Sequence, residues 1–249
     1  MSLTHHEFPD VATAAAALAD QVARDLQRSL ETTGAALLLV SGGRSPLALF
    51  SALSCHDLAW SQVTVSLVDE RCVASDHADS NTALIRQHLL RGPARQARWI
   101  ALLDDAHVHS GVDGMHIAQS AAAQANQNAE LARPAVVILG MGNDGHTASL
   151  FADAPQWLQA RQTTARYVAV QPGQAAHARV GLSLHALQSQ RHCYVWASGA
   201  DKRATLDRLE AQIQAATVDA RAAEKLADAG PLALLIADQE IILDVYQSP

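Results

Sequence analysis

Residues 136 to 151, Val-Val-Ile-Leu-Gly-Met-Gly-Asn-Asp-Gly-His-Thr-Ala-Ser-Leu-Phe, constrain the fold of this chain more than any other stretch. Val136 to Leu139 form an unbroken apolar run of strand length, bounded by glycine, and so predict a strand buried on both faces. Gly140, Gly142 and Gly145 follow at once. They supply a bend that can take positive φ and let other groups approach the backbone closely. Asp144 and His146 sit inside that bend, and Thr147 and Ser149 then lead into what reads as a short helix. The carboxyl end of a buried strand is where open α/β sheets place ligands. Imidazole can take a proton from water and return it near neutrality. Asp144, two residues earlier, is near enough to orient the ring or to bind the same ligand. The plainer alternative is a glycine turn with an Asp cap. The strand before it and the density of glycine favour a functional turn.

The rest of the chain alternates strands with helices. Val11, Leu18, Val22, Leu26 and Leu30 recur at helical spacing over residues 10 to 33, with Asp10 as N-cap and Gly34 as stop. Ala35 to Val40 and Val63 to Val68 read as strands, with helices near 46 to 54 and 80 to 91, the latter capped by Ser80 or Asn81. A short strand at 98 to 103, a loop at 104 to 113 and an alanine-rich helix at 114 to 132 precede the central turn. Residues 153 to 164 fit no single period. Tyr167 to Val170, Arg179 to Leu184 and Cys193 to Ala197 have strand character. Helices are expected at about 200 to 213 and 217 to 228, and strands at Leu232 to Ala237 and Ile241 to Val245. Such alternation implies one α/β domain over residues 1 to 249, with a largely parallel, twisted, Rossmann-like sheet covered by helices on both faces. His5 and His6 are expected in a disordered terminus.

Composition excludes several classes. The 249 residues are 49% hydrophobic, enough for a large core, and the formal net charge is −7, which disfavours nucleic acid and anionic membranes as partners. The apolar runs are too short to span a bilayer. Cys55, Cys72 and Cys193 form no C-x-x-C pair, and no signal peptide is visible, so a reducing cytoplasmic location is expected. His107 and His109 beside Asp104 and Asp105 read as a solvated polar loop, because no H-E-x-x-H or cysteine pairing accompanies them. No metal site is expected.

Four further clusters carry chemistry. Ser41-Gly42-Gly43-Arg44-Ser45-Pro46 joins a strand to a helix, exposing backbone N–H groups as an anion site would. Its spacing is neither that of a P-loop nor G-x-G-x-x-G. Asp69-Glu70-Arg71 follows the next strand, and an arginine there can grip a phosphate with two parallel hydrogen bonds. Arg179 stands in the apolar stretch Ala178-Arg-Val-Gly-Leu-Ser-Leu, where a cation must reach solvent, a carboxylate or a ligand. Ser198-Gly199-Ala-Asp-Lys202 sets a lysine at a strand-to-helix turn. In a parallel sheet these loops share one edge. Together they offer cations and a glycine loop for an anion, plus one histidine for acid–base work.

Ser-Gly-Gly-Arg-Ser-Pro at 41 to 46, Asp-Glu-Arg at 69 to 71 with Ser80-Asn81 downstream, and Leu-Gly-Met-Gly-Asn-Asp-Gly-His-Thr-Ala-Ser-Leu-Phe at 139 to 151 resemble the 6-phosphogluconolactonase family in order and spacing. The resemblance runs from about Ala35 to the last strand. It implies the α/β sheet shared with glucosamine-6-phosphate deaminases. It also implies hydrolysis of 6-phospho-D-glucono-1,5-lactone to 6-phosphogluconate in the oxidative pentose phosphate pathway, with no required metal or organic cofactor. The expected partner is a small sugar-phosphate lactone, met by a monomer or a weak homodimer. Carried over, His146 matches the general base, Arg71 and Lys202 match phosphate-binding positions, and Ser41 to Gly43 match the glycine loop. Arg44, Asp69, Gly142 and Arg179 complete the expected substrate-binding set. The chain departs from the family pattern at Gly181, where a hydroxyl residue is usual, and at Ala152, where a proline is usual. A deaminase or isomerase would use Asp69 as base, but those enzymes resemble Asp-Glu-Tyr and Gly-His-Ile-Ala-Phe-Asn, where this chain has Arg71 and Thr147-Ala-Ser-Leu-Phe. A non-catalytic sugar-phosphate sensor is the remaining alternative; no helix-turn-helix segment precedes the sheet.

Overall fold

The computed structural model describes residues 3–218 and 225–249. The periodic stretch at the start forms helix α1, Val11–Thr33. Its N terminus is capped by Asp10, whose carboxylate accepts the Thr13 N–H, and it stops where Gly34 takes φ 76° and donates to the Leu30 carbonyl. Leu18, Val22 and Leu26 on its inner face are fully buried. Each contributes about 1.5–3 kcal/mol through the apolar surface it removes from water.

Seven strands build the main sheet: β1 (Leu3–Glu7), β2 (Ala36–Val40), β3 (Val63–Leu67), β5 (Arg98–Trp99), β6 (Val136–Gly140), β9 (His192–Ser198) and β10 (Ile242–Ser248). Their order is β1-β10-β9-β6-β2-β3-β5, and every pairing is parallel. The apolar run before the glycine turn is therefore the middle strand. Helix α1 packs against β2, β6 and β10 as well as α2 (Leu47–Leu53), while α8 (Ala200–Val218) packs on β9. The expected largely parallel sheet with its helices is what forms.

A second sheet was not foreseen. After β3 the chain bonds Val68 N–H to the Val40 carbonyl and then leaves the parallel layer. Asp69–Arg71, read from sequence as a loop, is strand β4. It pairs antiparallel with β8 (Arg179–Leu182), which pairs antiparallel with β7 (Tyr167–Val170). Helix α5 (Gly114–Gln127) covers β7 and β8, and one continuous apolar core runs through both sheets.

Other expectations need correction. Leu232 to Ala237 is not a strand but helix α9, Pro231–Ala237. Its residues are buried on most sides, which hides helical period, whereas Gly230-Pro231 is a helix-start signal. Leu184–Gln188 forms helix α7, capped by Ser183, so β8 ends sooner than expected. Trp157–Gln162 settles the unassigned stretch as helix α6, and Asp105–Val108 in the expected loop forms the short helix α4. Asn81–His88 forms helix α3, with Ser80 as its cap. His5 and His6 lie in β1, ordered by pairing with β10 and by contacts to Glu210 and Asp244. Within the expected helix at 217 to 228, residues 219 to 224 lie outside the described residues. No described helix is long and apolar enough to cross a membrane.

Candidate active site

The carboxyl ends of β2, β6 and β9 open into a cleft of about 290 Å³, bordered by the first turn of α8 and walled on one side by β4 and β8. Ser41, Gly42, Gly43, Arg44, Asp69, Arg71, Gly142, His146, Arg179 and Lys202 all line it. Asp144 stands behind His146 in an adjoining recess. The edge shared by strand-following loops is thus where the expected residues meet, although Arg71 and Arg179 reach it from strands of the second sheet.

His146 is held from two sides. Asp144 Oδ1 lies 2.6 Å from Nδ1 of the ring, and the ring packs on Phe151 with centroids 4.2 Å apart. Burial works to raise the Asp144 carboxyl, but the hydrogen bond and charge of His146 outweigh it and hold the group at about 2. An ionised Asp144 fixes the proton on Nδ1 and leaves Nε2 as the acceptor. The turn itself is braced: Gly142 N–H donates to the His146 carbonyl at 2.8 Å, and Thr205 Oγ1 on α8 donates to the Asn143 carbonyl at 3.1 Å. Gly142 is required here, because a Cβ at that position would overlap both the His146 ring and the Asp144 carboxylate.

The cations come from one ribbon. In the β4–β8 register Asp69 faces Gly181, Glu70 faces Val180 and Arg71 faces Arg179. Alternate residues share a face, so Asp69, Arg71 and Arg179 look one way together. Two arginines directly opposed across an antiparallel pair repel unless an anion lies between them. Burial lowers the pKa of Arg179, and Arg71 lowers it further, against the pull of Asp69, Glu70 and Asp79. On the other face Glu70 is buried, and it accepts the N–H groups of Arg71, Asn81 and Thr82 at 2.7–2.8 Å. Burial raises its carboxyl despite those bonds. Glu70 therefore ties β4 to the start of α3. Asn81 on that helix donates to the Asp69 carbonyl at 2.7 Å.

Residues 147 to 150, expected to begin a helix, instead make a tight turn. Leu150 N–H donates to the Thr147 carbonyl at 2.8 Å, and the central residues Ala148 and Ser149 take φ of 53° and 56°. Left-handed backbone at two non-glycine residues costs about 1–3 kcal/mol each, and such strain clusters at functional sites. Its product is a placed hydroxyl: Ser149 Oγ donates to the Asp69 carboxylate and lies 3.4 Å from Arg179 Nη1.

Lys202, in the first turn of α8, completes the cleft; burial lowers its pKa, offset in part by Asp144 and Asp201. Arg44 is exposed at the rim. Of the five buried side-chain polar atoms without a hydrogen-bond partner among the described residues, Ser41 Oγ, Asn81 Oδ1 and the Nε atoms of Arg71 and Arg179 belong to this cleft, and only Trp99 Nε1 lies elsewhere. Unsatisfied polar atoms concentrated at one place mark a site built for something other than its own stability. Among the described residues no group of three or more His, Cys, Asp or Glu side chains has the arrangement to hold a metal ion.

Comparison with known proteins identifies the family. A family model described as glucosamine-6-phosphate isomerases/6-phosphogluconolactonase matches residues 9–230. The chain belongs to that family. A 6-phosphogluconolactonase of Neisseria meningitidis serogroup A is 42% identical over 205 residues, covering 82% of this chain and 86% of the relative. One from Pseudomonas aeruginosa is 42% identical over 193 residues, covering 76% and 78%. The crystal structure of a 6-phosphogluconolactonase from Shewanella baltica superposes with a TM-score of 0.86 at 31% identity, covering 99% of this chain and 98% of that one.

Within this family fold, sequence reasoning missed the part played by Ser149 and Asn81. Ser149 lies inside the motif at 139 to 151, but its backbone conformation has no sequence signal, since serine is not a residue that announces positive φ. Asn81 registered only as a helix cap. Gly181, noted as a departure, is explained by packing: a Cβ there would overlap the Ala148 carbonyl oxygen, so the strained turn rests directly on β8.

Proposed function

We propose that this cleft hydrolyses 6-phospho-D-glucono-1,5-lactone to 6-phospho-D-gluconate, the lactone-opening step of the oxidative pentose phosphate pathway. The observation that carries the reading is the pairing of one Asp-oriented imidazole with two opposed arginines in a single cleft. The names of the relatives support the substrate.

A δ-lactone carbonyl is already electrophilic, so the residues have little to add beyond position and a proton. His146 takes a proton from water through Nε2 as the water oxygen bonds to C1. The tetrahedral oxyanion is met by N–H groups of the glycine turn or by a neighbouring cation. As the bond from C1 to the ring oxygen breaks, protonated His146 returns the proton to that oxygen, leaving a carboxylic acid that ionises in water. Asp144 holds the ring and stabilises its charged form. Arg71, Arg179, Lys202 and the Ser41–Arg44 loop bind the phosphate, and that remote binding energy fixes C1 against His146. The hexosamine-phosphate deaminase alternative would use Asp69 as its base; the relatives, named as lactonases, favour the hydrolase reading.

The test is paired. Purified protein is given freshly made phosphogluconolactone, with and without a chelator, and separately glucosamine 6-phosphate. Acid release from the first, with no ammonia from the second, is expected. His146→Ala should lower kcat by about 10²–10⁴-fold with KM nearly unchanged. Ammonia release, or a His146→Ala enzyme that keeps its kcat, overturns the assignment.

A further inference from the structure

The β4–β8 ribbon presents three charged side chains and one gap on its cleft-facing side. Asp69, Arg71 and Arg179 occupy three positions of two neighbouring pairs, and Gly181, opposite Asp69, leaves the fourth empty. The Ala148 carbonyl oxygen fills that gap so closely that no Cβ would fit. Ser149 is thereby set over the ribbon, its hydroxyl on the Asp69 carboxylate and near the Arg179 guanidinium, which also lies 5.4 Å above the Phe151 ring. Arg71 is held separately, donating through Nη1 to the Asp79 carbonyl at 2.7 Å. Without Ser149, Asp69 would be free to swing onto Arg179 or Arg71 and neutralise the fork.

We propose that Ser149, seated by Gly181, is a positioning residue for the phosphate of the substrate: it holds Asp69 back and keeps Arg179 aligned opposite Arg71. This rests on the hydrolase reading above. The turn keeps two non-glycine residues at positive φ to put this hydroxyl there, and a fold that needed only a tight turn would have no use for the hydroxyl.

The experiment compares Ser149→Ala, Ser149→Gly and wild type on the phosphorylated lactone, on glucono-1,5-lactone without phosphate, and for inhibition by inorganic phosphate. Both variants should raise KM for the phosphorylated lactone and Ki for phosphate by roughly tenfold, the loss of one charge-linked hydrogen bond. kcat should move less than about twofold, and kcat/KM for the phosphate-free lactone should stay level. Glycine relieves the positive φ, so Ser149→Gly should melt no lower than Ser149→Ala. If Ser149 served only the turn, Ser149→Gly would restore KM while Ser149→Ala would not. Unchanged KM and Ki, or equal losses on both lactones, overturn the proposal. Wild type that hydrolyses neither lactone overturns the hydrolase reading instead.

Discussion

Asp144 is a carboxylate that sequence spacing allows two roles and that the structure sets against one ring nitrogen of His146. Spacing allowed it either to orient His146 or to touch the ligand. The 2.6 Å contact to Nδ1, and its place in the recess beside the ring, support the first role in the proposed mechanism. Held at about 2 by its partner, the carboxyl is ionised near neutral pH. Its folded-state pKa lies below the ordinary 3.8, so the contact stabilises the fold above that value, and the contribution is lost as pH falls toward about 2. The side chain is 60% exposed, so solvent screening keeps the contribution small. Its weight falls on catalysis. Asp144→Asn should lower kcat on the order of a hundredfold by freeing the wrong tautomer. A variant with wild-type kcat would return Asp144 to a substrate-binding role.

At the scale of elements, the glycine turn after β6 is the most exacting piece. Gly142→Ala inserts a methyl where the His146 ring and Asp144 carboxylate already meet. The ring must tilt away, so kcat should fall roughly 10- to 100-fold while the melting temperature drops only a few degrees. Wild-type kcat in a folded Gly142→Ala enzyme would show that the ring position does not matter. The strand before this turn was legible because four apolar residues ended in glycine, and α1 because its period ran for six turns between a capping Asp10 and a stopping Gly34. Local signals of that kind survive folding. Those that failed were of two sorts. Pro231–Ala237 is apolar throughout, so neither period shows, and its helical start lay in two residues of turn chemistry. Asp69–Arg71 is charged and only three residues long, and it becomes a strand because Arg179–Leu182 arrives from more than a hundred residues away. Pairing at that range leaves no trace in local pattern. The expected residues nevertheless line one cleft, because most of them follow a strand that was itself legible. The ribbon that brings Arg71 and Arg179 face to face was not.

For the whole molecule, the proposed anion site carries a cost in stability. Arg71 and Arg179 stand opposed, Arg179 has lost much of its hydration, and its Nε finds no partner among the described residues. Like charges opposite each other in a ribbon cost about 0.2–1 kcal/mol. Arg179→Met keeps the apolar stem and removes the repulsion, so the unliganded protein should melt about 1–4 °C higher. The same change should weaken the response to product. At a hundredfold excess over Kd, 6-phosphogluconate should stabilise the wild type by about 2.7 kcal/mol. For a chain of this length that is a rise of roughly 5–10 °C. At the same concentration the Arg179→Met protein should gain no more than a degree or two, because its Kd has moved toward the ligand concentration. Thermal unfolding of both proteins, with and without 6-phosphogluconate, reads the two effects at once. A variant that melts lower without ligand, yet still gains the full shift with it, would mean that Arg179 supports the β4–β8 ribbon rather than the phosphate. The anion would then have to be assigned to Arg71, Lys202 and the glycine loop alone.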